Sequence, residues 1–170
     1  MMRILGIDPG SRRTGVGVVD SIGHRVVHVH HQVIATRDED FPSRLKDIFE
    51  GIAEVIDLYK PHEAAVESVF LSRNPSSALK LGQARGAAIC AAVAAHLPVH
   101  EYAPTEIKKA VVGSGRADKA QVQHMVTLLL NLSELPDSDP ADALAAAVAH
   151  AHHRQTGDRI GLPTRWRGRR

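Results

Sequence analysis

The sequence predicts an α/β fold, a mixed five-stranded sheet with helices on both faces. Three observations predict it. Residues 4–36 hold three runs rich in apolar and β-branched residues, separated by short polar turns. Residues 41–59 then carry apolar side chains at helical spacing and end at Pro61. Helical and strand-like segments alternate from there to the last helix. Short turns join antiparallel strands, whereas a strand–helix–strand crossover sets later strands parallel to the first.

The bulk composition sets the frame. The chain has 170 residues, the usual size of one domain, and 44% hydrophobic residues are enough for a sizeable core. Its single cysteine, Cys90, lies in the alanine-rich segment 86–92 and reads as a small buried hydrophobe, not as a disulfide or zinc ligand. No apolar run reaches the length of a membrane span, and Asp8-Pro9 interrupts any signal-peptide pattern. The expectation is a soluble cytoplasmic protein with no membrane association. A formal charge of +2 does not by itself indicate nucleic acid; where the charges fall is more informative.

The first strand, Ile4-Leu5-Gly6-Ile7, runs into a carboxylate, Asp8. Pro9-Gly10 breaks it, and Gly15 to Val19 resumes an apolar run, so the segment reads as a β-hairpin. A carboxylate ending an apolar strand needs a cation, a metal or N–H donors; alternatively Asp8 only opens an Asp-Pro-Gly turn. A third strand spans 25–36. Its His28, His30 and His31 fit a metal site or, more simply, alternating polar positions on an exposed face.

The helix over 41–59 places Leu45, Ile48, Phe49, Ile52, Val55, Ile56 and Tyr59 on one face, for the core. The strand after it, Glu63-Ala64-Ala65-Val66-Glu67, again ends in a carboxylate. The loop that follows carries Phe70, Arg73 and Asn74. A long helix opens at Pro75 and runs through His96; Gly82 and Gly86 share one of its faces, through close approach of another helix or simple tolerance. A fifth strand spans 99–103 and a short helix 107–112. The loop Gly113 to Arg116 leads to a helix capped by Asp118. Lys108, Lys109, Arg116 and Lys119 surround this loop, either as a solvated face or as phosphate contacts.

The last helix starts at Ser138-Asp139-Pro140 and runs to about Arg154. Proline suits the first helical position, which makes Asp139 the natural N-cap; Asp142, three residues on, can share its face as a paired acidic site. His150, His152 and His153 near the C-terminus match the helix dipole or a metal. The organisation is therefore one domain, 1–155, and a basic tail, 156–170, an auxiliary nucleic-acid contact.

Four carboxylates stand out: Asp8, Glu67, Asp139 and Asp142. If the two strands are neighbours and the last helix packs across them, the four converge and require cations. Carboxylate oxygens suit Mg²⁺ or Mn²⁺. Two such ions about 3.5–4 Å apart clamp the attacking water and the leaving oxygen of a phosphodiester.

Five blocks, in order, carry a family resemblance. They are Leu5 to Ser11 (LGIDPGS), Ala65 to Phe70 (AVESVF), Ala78 to Gly86 (ALKLGQARG), Pro104 to Lys108 (PTEIK) and Ala141 to Ala145 (ADALA). Together the chain resembles the RuvC family of bacterial Holliday-junction resolvases, which has the ribonuclease H-like fold. The resemblance implies that Asp8, Glu67, Asp139 and Asp142 are catalytic metal-binding acids and that Mg²⁺ is the cofactor, two ions per site with Mn²⁺ substituting. It implies that Phe70 stacks on bases near the crossover and that Lys108 and Lys119 lie close to DNA; Arg73, Asn74, Lys109 and Arg116 join them as expected DNA contacts. It further implies a homodimer, four-way junction DNA as substrate, symmetric nicking of two like-polarity strands, and the RuvA–RuvB branch-migration complex as partner. Pro140, between the last two acids, and the arginine-rich tail depart from the family pattern; Pro140 turns Asp139 towards capping. The alternatives are another ribonuclease H-like nuclease acting on RNA, or a non-catalytic junction-binding protein. The stretch from Asp8 to Gly15 also resembles the first phosphate loop of actin-like ATPases, but those need two lobes and 170 residues hold one.

Overall fold

The computed structural model describes residues 1–37, 40–68 and 74–159. The elements are β1 (Met2–Asp8), β2 (Arg13–Ile22), β3 (Arg25–Ala35), α1 (Phe41–Tyr59), β4 (Glu63–Glu67), α2 (Pro75–Ala94), β5 (Val99–Tyr102), α3 (Pro104–Val112), α4 (Lys119–Leu129) and α5 (Ser138–Arg159). The strands form one sheet in the order β3-β2-β1-β4-β5. The first three are antiparallel; β4 runs parallel to β1, and β5 parallel to β4. This is the expected mixed sheet.

Helices cover both faces because strand side chains alternate between them. Leu5, Ile7, Val16, Val18, Ala64 and Val66 pack with Ile48, Ile52 and Val55 of α1 and Ala84, Ala88 and Ala91 of α2. Ile4, Val19 and Ala65 face the other way. They meet Leu144 and the alanines of α5, with Ile107 and Val111 of α3 and Val122 and Val126 of α4 behind. Residues 143–151 of α5 are all buried, so the helix is apolar all round and forms the centre of this layer.

The approach of α5 to the sheet is unusually close, and glycine permits it. A Cβ on Gly6 would lie 1.9 Å from the Ala143 carbonyl oxygen, and one on Gly15 would lie 2.0 Å from that of Asp139. Backbone on backbone contact of this kind leaves no room for any side chain.

Local signals fix most boundaries. Asp40 accepts from Ser43 N at the start of α1, Asn74 accepts from Ser76 N and Ser77 N at the start of α2, and Asp118 and Gln121 form a reciprocal capping box on α4. Three expectations need correction, and one that was open between two readings is narrowed. First, α2 ends at Ala94, not His96. His96 takes φ 60°, with Leu97 N bonded to Ala92 O and His96 N to Val93 O, which is a Schellman closure. Second, Cys90 is exposed, because the buried stripe of α2 is Ala84, Ala88, Ala91 and Ala92 and Cys90 falls on the opposite side. Third, nothing within the described fold approaches Gly82 or Gly86, whose added Cβ atoms would meet open space. Fourth, α5 continues past Arg154 to Arg159, so the boundary expected at 155 falls inside a helix; residues 160–170 lie outside the described residues.

Candidate active site

Asp8 is the last residue of β1 and Glu67 the last of β4. In the parallel register Gly6 sits beside Ala65 and Ile7 beside Val66. Gly6 and Ala65 both face α5, and Asp8 and Glu67, each two residues further along, project from that same face. The turn after Asp8 is pinned by buried Thr14, whose hydroxyl donates to Gly10 O at 3.1 Å and accepts from Gly10 N at 3.3 Å. Asp8 pairs across the hairpin with Gly15, and the Asp139 backbone rests on Gly15. The first turns of α5 thus bring Asp139 and Asp142 to the end of the sheet where Asp8 and Glu67 emerge.

The electrostatics record this convergence. Burial, then the charges of Asp142, Glu67 and Asp139, push the Asp8 carboxyl up to about 8, against a smaller opposing pull from Lys119. Burial and Asp142 likewise raise Glu67, with Lys119 and Lys108 opposing. Two cations answer the other two acids. Lys119 Nζ lies 2.7 Å from Asp142 Oδ2, and Arg13 Nε donates to Asp139 Oδ2 at 2.8 Å, with Arg13 Nη2 3.6 Å from Asp137. Desolvation works against the Lys119 charge, but the hydrogen bond to Asp142 and the field of Asp142, Asp8 and Asp139 outweigh it and raise its pKa.

The expectation that Asp139 caps the last helix is corrected. α5 begins at Ser138, two residues before the start that an Asp139 cap implies, and Ala141 N bonds to Asp137 O. Asp139 therefore sits inside the first turn, and its carboxylate holds Arg13. Pro140 is buried and its missing N–H costs nothing in a first turn. Lys108 is half-buried on α3, near enough to Glu67 to lower it, while Lys109 and Arg116 are exposed. Asn74 Oδ1 is engaged in capping α2. Phe70 and Arg73 lie outside the described residues. The histidines of β3 pair among themselves and with their neighbours: His28 Nε2 is 2.8 Å from His31 Nδ1, and His30 stacks on Tyr59. Sequence reasoning missed Arg13 altogether, because a basic residue after a turn has no local mark distinguishing an acid's counter-ion from a solvated side chain.

Four carboxylates, with Lys119, Arg13 and the more distant Lys108 to offset them, leave the cluster net negative, and burial together with this imbalance favours the protonated form of Asp8. An all-oxygen donor set that takes up a proton for want of positive charge fits hard divalent cations such as Mg²⁺. Sheet order, strand directions and this acidic end define the ribonuclease H-like class.

Comparison with known proteins narrows the class. The model of the family "Crossover junction endodeoxyribonuclease RuvC" matches residues 4–150. The RuvC crossover junction endodeoxyribonuclease of Stenotrophomonas maltophilia is 59% identical over 167 residues, covering 97% of this chain and 96% of its own. Thermus thermophilus RuvC, solved in complex with Holliday junction substrate, superposes with a TM-score of 0.87 at 38% identity, covering 92% of this chain and 97% of that one. The yeast mitochondrial Holliday junction resolvase Ydc2 shares the fold at a TM-score of 0.65 and 14% identity, over 95% of this chain and 86% of that one. The chain belongs to the RuvC family and is an endonuclease of the crossover junction endodeoxyribonuclease type. Among the described residues no helix is long and apolar enough to cross a membrane.

Proposed function

We propose that this protein resolves Holliday junctions in the cytoplasm by hydrolysing one phosphodiester in each of two strands of like polarity. The observation that carries the reading is the convergence of Asp8, Glu67, Asp139 and Asp142 at one end of the sheet, where burial and then the charges of the other three acids push Asp8 up to about 8. Asp8 and Glu67, on rigid strand ends, and Asp139 and Asp142, on the first turns of α5, would hold two Mg²⁺ ions, with Mn²⁺ able to replace them. Bound there, the ions supply charge neutralisation for the phosphodiester and activation of the attacking water. Lys119 and Arg13 hold Asp142 and Asp139 in place and keep part of their charge neutralised before substrate arrives. Lys108, Lys109 and Arg116 meet the phosphates flanking the cut. Phe70 stacks on an unpaired base at the crossover, a contact worth about 1–3 kcal/mol, and Arg73 and Asn74 are further DNA contacts. Two active sites, one per strand, call for a homodimer, and RuvA–RuvB is the branch-migration partner that brings junctions to it. The arginine-rich residues beyond α5, 160–170, add a further basic contact with DNA.

The test is incubation with Mg²⁺ of a labelled four-way junction beside a linear duplex of the same sequence. Paired nicks in the junction alone are expected. Equal cutting of both, or junction binding with no cutting at any Mg²⁺ concentration, would refute the proposal.

A further inference from the structure

A second group of ligand-type side chains lies at the other end of the sheet. Glu63 is the first residue of β4, His100 is on β5 and His150 is on α5. One ligand atom from each lies within 4.8 Å of the others. β4 rises about 3.3 Å per residue from Glu63 to Glu67, and α5 about 1.5 Å per residue from Asp142 to His150. The group is therefore roughly 12 Å from the acidic cluster on both elements.

Its internal bonding is lopsided. Glu63 Oε1 accepts from Arg154 Nη1 at 2.5 Å, and His150 Nδ1 is 2.6 Å from the Tyr102 hydroxyl. Each therefore has its outer atom anchored by a neighbour. Their inner atoms, Glu63 Oε2 and His150 Nε2, face each other at 2.6 Å, a separation that needs a proton between them. His100 Nε2 points at the same carboxylate oxygen from 3.7 Å, buried and without any hydrogen-bond partner. Such a nitrogen is costly to leave unsatisfied. Desolvation, then the charge of His150, lowers the pKa of His100, with Glu63 opposing. A proton-bridged Glu63–His150 pair accounts for Tyr102 and Arg154 but leaves His100 unexplained.

We propose that Glu63 Oε2, His100 Nε2 and His150 Nε2 form a site for a borderline transition-metal ion, Zn²⁺ in the first instance, with solvent as fourth ligand. Tetrahedral Zn²⁺ with these donors separates its ligand atoms by about 3.3 Å. The His100–Glu63 separation is close to this, and the His150–Glu63 pair must open by about 0.7 Å as its proton leaves to solvent. Tyr102 and Arg154 are the outer partners that orient the imidazole and the carboxylate. Two imidazoles favour Zn²⁺ over Mg²⁺, so the site is chemically distinct from the acidic cluster. Side-chain exposures of 19% for His100 and 12% for Glu63 leave a path for the ion. Occupied, the site ties β4, β5 and the second half of α5 together, behind the turns that carry Asp139 and Asp142.

The test uses the full-length protein, stripped of metal and then held in excess Mg²⁺. Co²⁺ is titrated as a visible reporter and Zn²⁺ as competitor. One Co²⁺ per chain is expected, with an intense four-coordinate ligand-field band that Zn²⁺ abolishes and Mg²⁺ does not. Zn²⁺ should also raise the melting temperature. His100→Ala removes no hydrogen bond seen in the structure, so it should fold and melt like the parent in the metal-free state. It should lose the band and weaken Zn²⁺ binding by more than about tenfold, while Asp8→Asn keeps both. Absence of the band in the parent, or its survival in His100→Ala, would overturn the proposal, as would its loss in Asp8→Asn, which would place the ion among the acids.

Discussion

The backbone of Asp139 rests on Gly15: a Cβ on that glycine would fall 2.0 Å from the Asp139 carbonyl oxygen and 2.9 Å from Pro140 N. Gly15 is also the cross-strand partner of Asp8. One missing side chain therefore sets the distance between the strand-borne and helix-borne acids. Gly15→Ala must push the start of α5 off the sheet. Displacements of about 1 Å at a reacting centre can cost about 10²-fold in rate, so junction cleavage should fall by about that factor. Far-ultraviolet circular dichroism should show the fold retained, with a lowered melting temperature. Full activity in a folded Gly15→Ala protein would mean that this contact does not set the active-site geometry.

Asp8→Asn separates chemistry from folding. In the metal-free protein the Asp8 carboxyl is raised from its ordinary value to about 8. A group raised in the folded state contributes stability that is complete below its unfolded pKa, near pH 4, and is lost as pH climbs through about 8. Asparagine carries no such penalty. Scanned without metal at pH 8, Asp8→Asn should melt higher than the parent by roughly 5 °C, and the difference should close towards pH 4. Nicking should be abolished while junction binding, read by gel shift, survives or tightens. An Asp8→Asn protein that melts below the parent at pH 8 would mean that the carboxylate is satisfied by something other than a divalent cation.

Strand directions and the placing of four acids at element ends were legible in the sequence because each rests on short-range patterns: β-branched runs, a helix-length crossover, and carboxylates at strand ends or in a first turn. Side-chain pairing between distant elements was not. Nothing local marks Arg13 as the counter-ion of Asp139, 126 residues away, or joins Glu63, His100 and His150. Cys90 shows the same limit. An alanine-rich helix is apolar all round, so its sequence does not say which stripe meets α1, and the cysteine fell on the outside. Asp139 reads as a cap in the sequence because Asp-Pro fits an N-cap followed by a first-turn proline as well as it fits the observed start two residues earlier.

Lys119 and Lys108 should behave differently, although both are basic residues near the acids. Lys119 is bonded to Asp142 and its charge lowers both Asp8 and Glu67. Without it those carboxyls hold protons to higher pH. Lys119→Ala should therefore shift the pH dependence of Mg²⁺ binding, measured by calorimetry, to higher pH. Among the described residues Lys108 has no bonded acid of this kind; Lys108→Ala should reduce the salt dependence of junction binding by roughly one phosphate contact. Anisotropy titrations across a salt series read the second effect. If Lys119→Ala leaves the pH profile of Mg²⁺ binding where it was, its bond to Asp142 has no part in holding the acids ionised.

Arg13 stands on the rim of the site, half exposed, with its guanidinium on Asp139 and near Asp137. In the metal-free protein it neutralises a carboxylate that the acidic cluster needs neutralised. A divalent cation arriving at Asp139 must compete with it, because one carboxylate oxygen already accepts from Arg13 Nε. Removing a positive charge beside a cation site strengthens cation binding, and solvent screening keeps the effect modest. Arg13→Ala should therefore bind Mg²⁺ roughly two- to fivefold more tightly than the parent in calorimetry without DNA. The gain should shrink as salt is raised, since screening already weakens the competition in the parent. Weaker Mg²⁺ binding by Arg13→Ala would show the opposite role, with Arg13 orienting Asp139 as a ligand and not competing for it.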